Sequence, residues 1–446
     1  MNYFNPELAA SQTPALPARR PQLESQAVRA DDLALTNLRD AGQENIDLLL
    51  ARVAAAEMVE PAAVQSLFAA GQVVVLPNAD RSRWLGIGRG LTTKVNANIG
   101  TSADKPDYPD ALTKAKAAVR AGAHTLMDLS TVGLEGPMEF AKGIRLVAEE
   151  TGVVVGTVPV YEAARRSMER HGDKQVRLEA GEMLECVERQ AEAGSRFMAI
   201  HAGLNRKTLE VWRRQPRNIV SKGGYITAEH MLTTGDENPF YERFDDLLAI
   251  LKRHGVCLNV GSALRSGATR FNDEAQLAEI RSAGELAKRA QAAGVQAVVE
   301  GPGHVPYGMI KDIVDFQRNA TGDRPFFILG FVATDAFVGR DHIVSAVGAT
   351  EAVRHGVSWL CYITPAEHVR MPNDRDVIEG VHAALIAAHV GDCANHQPRA
   401  LALESFYNDK GCLDHRAKKQ YCSICGQDFC PIQRLHDLRG AAELGI

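Results

Sequence analysis

The chain has 446 residues, of which 45% are hydrophobic and 24% are charged, and its formal net charge is −5. This size and composition allow a large buried core and exclude intrinsic disorder for most of the chain. Acidic and basic residues are mixed along the sequence without a basic block, so small molecules are the expected partners and nucleic acid is not.

Residues 1–80 are expected to form an N-terminal arm with short helices. Residues 1–30 are rich in Pro, Ala and Gln, which is typical of an extended segment. Apolar residues recur at helical spacing between 31 and 70 and predict two or three short helices, and the short strand QVVVLPN follows. No apolar run approaches the ~18 residues of a membrane span, and the first residues lack the layout of a signal peptide. We therefore expect a cytoplasmic protein without a membrane partner.

Short β-branched runs alternate with helical stretches after residue 90. Such near-continuous apolar strands predict a parallel sheet that is buried on both faces. No glycine-rich dinucleotide-binding turn opens the series, so the pattern favours an α/β fold with a (β/α)8 barrel over residues 81–395. The runs outnumber the strands of such a barrel by one, so one run is expected to be an extra strand or a strand-like loop. The runs span residues 94–100, 125–130, 153–160, 197–203, 218–224, 256–261, 295–303, 326–331 and 359–364.

Polar residues stand where these runs end. The carboxyl ends of barrel strands meet at one mouth, and this mouth carries the active site in barrel enzymes. A single polar residue at such a position often marks only the end of a strand, but the whole set predicts a polar mouth. The residues are Asn98, Asp128, Tyr161, His201, Ser221, Glu300, His304, Asp335 and His368.

The tail over residues 396–446 contains Cys422, Cys425 and Cys430 in a C-x2-C-x4-C pattern. Three thiolates can hold a [4Fe–4S] cluster and leave one iron without a protein ligand. That iron could bind S-adenosylmethionine and deliver the electron that starts a radical reaction. A structural zinc site needs four ligands, and Cys412 or His415 could complete one, which keeps zinc as an alternative. The remaining cysteines are scattered and are expected to be small buried hydrophobes.

The chain resembles the phosphomethylpyrimidine synthase family of thiamin biosynthesis, whose members are radical enzymes with this cysteine spacing after a barrel. The resemblance extends from residue 88 to residue 430, and its segments follow the family's order. The matching segments are GRGLTTKVNANIGTS (88–102), TLMDLST (125–131), VGTVPVYEA (155–163), IHAG (200–203), IVSKGG (219–224), NDEAQLAEI (272–280), VEGPGHVP (299–306), CYITPAEH (361–368) and CSICGQDFC (422–430).

This resemblance implies a homodimeric enzyme that uses S-adenosylmethionine and a [4Fe–4S] cluster and takes electrons from a donor such as flavodoxin or ferredoxin. It implies 5-aminoimidazole ribotide as the substrate. By position, Glu300 and His201 would transfer protons, and His304 and His368 would hold zinc or iron. The implied substrate-binding residues are Asn98, Met127, Tyr161, His201, Ser221, Gly223, Arg265 and Glu300.

Short segments at substrate-contacting positions depart from the thiamin enzymes. Their DGLRPG-like turn is SALRSG (262–267) here, SRG is SKG (221–223), PFY is PFF (325–327) and APGYDH is FVGRDH (337–342). Changed hydrogen-bonding groups around a retained radical apparatus favour a related reaction on the same substrate, since buried polar groups set discrimination. We therefore predict the paralogous 5-hydroxybenzimidazole synthase family, which makes the lower-ligand base of an anaerobic cobamide. Phosphomethylpyrimidine synthase is the alternative, and a zinc-dependent barrel hydrolase is a more distant one.

Overall fold

The structure of the chain is a computed structural model that describes residues 27–30, 38, 41–133, 139–172, 174–408, 425–431, 434 and 438–439. The described residues up to Gln397 form one unit by their contacts, and those from Pro398 onward belong to a second. Residues 1–26 of the expected arm and the predicted cluster ligand Cys422 lie outside the described residues.

Two helices and a small antiparallel sheet precede the barrel. Helices α1 (Gln43–Glu57) and α2 (Pro61–Ala69) confirm the expected short helical region. The sheet contains β1 (Val28–Arg29), β2 (Val73–Pro77) and β3 (Arg83–Gly88), with β3 in the middle. Apolar side chains of the helices and of the sheet form one buried cluster, so this region has a small core of its own.

Eight parallel strands form a closed barrel. Each strand pairs with the strand that follows it in the chain, and the last pairs with the first, so the sheet has no open edge. The predicted (β/α)8 barrel is therefore confirmed. The strands are β4 (Lys94–Ile99), β5 (Thr125–Asp128), β6 (Val154–Thr157), β7 (Phe197–Ile200), β8 (Cys257–Val260), β9 (Ala297–Glu300), β10 (Phe326–Ile328) and β11 (Trp359–Cys361).

Helices lie between successive strands and surround the barrel. They are α3 (Tyr108–Ala121), α4 (Phe140–Thr151), α5 (Pro159–His171), α6 (Ala180–Glu192), α7 (Arg206–Arg213), α8 (Lys222–Thr234), α9 (Pro239–Glu242), α10 (Phe244–His254), α11 (Glu274–Ala292), α12 (Ile310–Thr321), α13 (Asp341–Arg354) and α14 (Asp374–Ala394). Among the described helices, α14 alone is long and apolar enough to cross a membrane by length and composition. It packs on β4, α3 and α13, and core helices pass the same test.

The predicted run at residues 218–224 is not a strand, which resolves the excess of one run. Ser221 ends the extended segment as the N-cap of α8, and its hydroxyl oxygen accepts a hydrogen bond from the Gly224 N–H. A Cβ atom at Gly224 would lie 2.5 Å from Ala263 Cα, so the first turn of α8 needs glycine to approach the loop after β8. The serine and the glycines therefore favour a helix start over a ninth strand.

The hairpin of β2 and β3 covers the amino end of the barrel. The Gln296 side chain joins the two parts: its Oε1 accepts from Val75 N at 2.7 Å and its Nε2 donates to Val75 O at 2.9 Å. The carboxyl ends of the strands remain at the opposite mouth. In the second unit, the described helices are α15 (Pro398–Asn408) and α16 (Gly426–Phe429).

Candidate active site

A pocket opens at the carboxyl ends of the barrel strands, where active sites of barrel enzymes lie. The structure brings together seven of the eight predicted substrate-binding residues in its lining, and Gly223 lies directly behind it. These seven are Asn98, Met127, Tyr161, His201, Ser221, Arg265 and Glu300. Further lining residues that the sequence analysis did not name are Leu129, Val158, Ala199, Leu329 and Cys361.

His201 follows strand β7 and is only 4% exposed. Its Nε2 lies 3.3 Å from Ser221 Oγ, while its buried Nδ1 has no hydrogen-bond partner in the described structure. A Cβ atom at Gly223 would lie 2.2 Å from the ring, so glycine is needed there for the ring to fit. Burial and the nearby Arg265 lower the pKa of His201 to about 3. The imidazole is therefore neutral at physiological pH.

The buried His201 should make stability depend on pH. Its pKa falls from 6.5 to about 3 on folding, so the unfolded chain takes up a proton that the folded chain refuses. Stability is full above pH 6.5 and is lost as the pH falls, by about 2 kcal/mol between pH 7 and pH 5. In the variant His201→Asn, the free energy of unfolding should fall less between pH 7 and pH 5 than in the parent. Urea unfolding at several pH values measures this difference. A pH dependence of unfolding in His201→Asn equal to that of the parent would contradict the prediction.

Glu300 and Arg265 form the charged side of the pocket. Arg265 Nη1 lies 3.6 Å from Glu300 Oε1, and the Ser262 N–H donates to Glu300 Oε2 at 2.8 Å. Burial raises the pKa of Glu300, and the positive charge of Arg265 opposes this rise. A carboxyl group with a raised pKa keeps its proton to higher pH than an ordinary carboxyl group, which suits acid–base work.

His304 and His368 lie side by side near this mouth, with ring centroids 5.4 Å apart. Nδ1 of His304 lies 2.7 Å from Asp335 Oδ1, and Nδ1 of His368 lies 3.1 Å from Asp341 Oδ1. A carboxylate only accepts, so both Nδ1 atoms donate and both Nε2 atoms are left for a metal ion. His368 also adopts a left-handed backbone with φ of 62°, which is strained for a non-glycine residue. The donor set fits a divalent ion with open coordination positions.

Asp128 stands at a strand end, as predicted, but does not line the pocket. It is buried and accepts a hydrogen bond from the Tyr108 hydroxyl at 2.6 Å. Asp341, in contrast, was not predicted from the sequence, yet its carboxylate accepts a hydrogen bond from the predicted metal ligand His368. Its only sequence signal was its position in the FVGRDH segment.

The described part of the cysteine motif contains Cys425 and Cys430. Cys425 is exposed and caps the short helix α16, and Cys430 follows that helix and is 2% exposed. Cys430 is a free thiol, and thiolates are the ligands that iron–sulfur clusters require. The donor chemistry therefore fits the predicted cluster, while the third cysteine, Cys422, lies outside the described residues.

Comparison with known proteins identifies the family. The profile of the radical SAM ThiC family matches residues 36–409. A phosphomethylpyrimidine synthase of Thermus thermophilus is 40% identical over 443 residues, which cover 92% of this chain and 100% of that protein. A 5-hydroxybenzimidazole synthase of Geobacter sulfurreducens is 41% identical over 362 residues, which cover 80% of this chain and 82% of that protein. The chain therefore belongs to the radical SAM ThiC family, whose enzymes use S-adenosylmethionine and an iron–sulfur cluster.

Proposed function

We propose that this enzyme converts 5-aminoimidazole ribotide to 5-hydroxybenzimidazole, the lower-ligand base of an anaerobic cobamide. The observation that carries the choice of product is Ser262, which replaces the carboxylate of the DGLRPG-like turn. Its N–H donates to Glu300 and its hydroxyl donates to Glu279 Oε2 at 3.1 Å. The loop that carries Arg265 thus has a neutral serine in place of a carboxylate, and such a change in the polar surroundings of the site can alter the outcome of the reaction.

Two further substitutions, at Phe327 and Lys222, also favour 5-hydroxybenzimidazole as the product. Phe327 lines the pocket, is 2% exposed and stacks on Trp359 with ring centroids 4.4 Å apart. Because phenylalanine stands where the thiamin enzymes have tyrosine, this wall of the pocket lacks a hydroxyl group. Lys222 replaces the arginine of the SRG triplet and lies over the Tyr161 ring, 5.2 Å from its centroid. Each change alters the polar surroundings of the substrate.

The residues of the pocket have separate tasks in the proposed reaction. Arg265 and the backbone amides of 221–224 at the start of α8 bind the phosphate of the nucleotide. Neutral His201 contacts the substrate from the pocket wall, and Glu300 moves protons as the sugar carbons rearrange. The cluster, held by Cys422, Cys425 and Cys430, supplies when bound the one-electron chemistry that splits S-adenosylmethionine.

The histidine pair is proposed to hold zinc or iron, and this gives a separate prediction. Asp341 is 6% exposed and accepts from His368, so Asp341→Asn removes the group that fixes the tautomer of the ligand. We expect zinc affinity to fall about 10- to 100-fold in chelator competition with the reconstituted protein. Asp315→Asn, at a half-exposed aspartate paired with Lys311, is the matched control. Equal zinc affinity in both variants would contradict the assignment.

A homodimer and a flavodoxin- or ferredoxin-like electron donor are also proposed. Apolar side chains on the outer faces of α13 and α14 support a protein partner, because four of them are between 48% and 63% exposed. They are Ile343, Val347, Ile386 and Val390.

Phosphomethylpyrimidine synthase is the second candidate. It is favoured by the retention of all eight implied substrate-binding residues and by the Thermus relative, whose identity equals that of the Geobacter relative within one per cent. The zinc-dependent hydrolase requires a structural zinc site in the tail. Anaerobic reconstitution with iron and sulfide tests it, because a colourless protein with two zinc ions would support the hydrolase.

Genetic complementation tests the choice of product. An anaerobic thiamin-pyrimidine auxotroph that expresses the chain should still need added pyrimidine, while its extract should contain 5-hydroxybenzimidazole. Growth without pyrimidine would favour the second candidate. The same strain expressing Cys430→Ala is the control and should accumulate neither product.

A further inference from the structure

The segment of residues 262–266, here called the Arg265 loop, places Arg265 in the pocket but belongs to no strand or helix. Its backbone N–H groups are bound by side chains instead. Ala263 N donates to Glu279 Oε1 at 2.7 Å, and Leu264 N donates to Glu279 Oε2 at 2.8 Å. Ser266 N donates to Gln276 Oε1 at 3.0 Å. The conformation of the loop therefore depends on two side chains of helix α11.

Glu279 makes the largest share of these contacts. It is 2% exposed and also accepts from the Ser262 hydroxyl, so three donors of one loop converge on one carboxylate. A Cβ atom at Gly203 would lie 3.2 Å from Glu279 Cγ, so Gly203 packs closely against the side chain. Burial raises the pKa of Glu279 to about 7, and the three donors oppose this rise.

The start of α11 also connects to the metal pair. Asn272 Nδ2 donates to His304 O at 3.0 Å, and His304 N donates to Ser266 O at 3.3 Å. One short stretch of chain thus borders both the Arg265 loop and a predicted metal ligand. A carboxylate at Glu279 can accept from every loop donor, whereas an amide would turn N–H groups toward backbone N–H groups.

We propose that Glu279 is a positioning residue, which fixes the Arg265 loop so that Arg265 meets the phosphate of the bound nucleotide. Glu279 does not line the pocket, so it acts on the substrate through the loop that carries Arg265. The inference rests on the proposed function, because it assigns Arg265 to the nucleotide. It predicts that the effect of changing Glu279 disappears once Arg265 has been removed.

A double-mutant cycle with 5-aminoimidazole ribotide tests this. Dissociation constants are measured by calorimetry for the full chain, Glu279→Gln, Arg265→Ala and the double variant. Glu279→Gln should weaken binding about tenfold in the parent, since hydrogen bonds to a charged group are lost. In the Arg265→Ala background, the same change should alter binding less than about twofold. Glu274→Gln, an exposed position on the same helix, is the control and should bind as the parent does.

The outcomes separate the inference from the proposed function. Equal effects of Glu279→Gln in both backgrounds, or no effect in the parent, would show that Glu279 does not act through Arg265. A parent chain that does not bind 5-aminoimidazole ribotide would refute the proposed substrate and the inference with it. If the glutamine variant does not fold, Glu279→Asp takes its place in the cycle, because it keeps the charge but shortens the reach.

Discussion

Cys430→Ala is expected to abolish turnover, with formation of 5′-deoxyadenosine and product falling at least about a thousandfold. The reason is the ligand count: the motif supplies three thiolates, and a cluster with two would lose its iron during reconstitution. Iron and sulfide content, together with the electron paramagnetic resonance signal of the reduced protein, measures this directly. Cys430 is a free thiol, so its loss breaks no disulfide in the described chain.

Cys186→Ala is the matched control for this experiment. Cys186 is fully buried on α6 and lies in the main core, so its replacement removes a thiol of similar burial without touching the motif. This variant should keep its iron and its turnover, apart from a modest loss of stability. Full turnover in Cys430→Ala would show that the triplet is not the cluster site and would revive the structural zinc alternative.

Arg265→Ala should weaken binding of 5-aminoimidazole ribotide about 100-fold, because a charge-assisted contact with phosphate is lost in a largely buried pocket. The pH dependence of turnover should change as well in Arg265→Ala. Arg265 opposes the rise in the pKa of Glu300, so its removal lets that pKa rise further. The acidic limb of the pH–rate profile, where Glu300 must ionise, should move to higher pH.

Arg270→Ala is the comparison, because Arg270 lies close in sequence but is exposed and stacks on Phe271 rather than lining the pocket. Its substrate affinity and its pH–rate profile should match those of the parent. An unshifted acidic limb in Arg265→Ala would mean that Glu300 does not set the profile, and an unchanged affinity would remove Arg265 from the site.

The barrel was predictable from the sequence because buried parallel strands are nearly continuous in apolar residues, a local pattern. The position of the pocket was also predictable, because the polar residues that follow the parallel strands must meet at one mouth of the barrel. The error at residues 218–224 arose because Ile219 and Val220 look like strand residues. The decisive features, a serine cap and a glycine contact with Ala263, appear only in three dimensions.

The supporting residues were harder to predict. Glu279 and Asp341 lie on helices, and each meets its partner only through the packing of a helix against a loop at the barrel mouth. A single sequence shows such a carboxylate as one acidic residue among many, with no periodicity that separates it from the surface. Strand β3 was also missed, because RWLGIG combines too few β-branched residues with two glycines.

The product of the purified enzyme decides between the two candidate reactions. The anaerobically reconstituted chain is incubated with 5-aminoimidazole ribotide, S-adenosylmethionine and a reductant, and the product is identified by mass spectrometry. We expect 5-hydroxybenzimidazole to form together with 5′-deoxyadenosine. Phosphorylated hydroxymethylpyrimidine as the product would contradict this expectation, and would show that Ser262 and Phe327 are tolerated within the thiamin reaction.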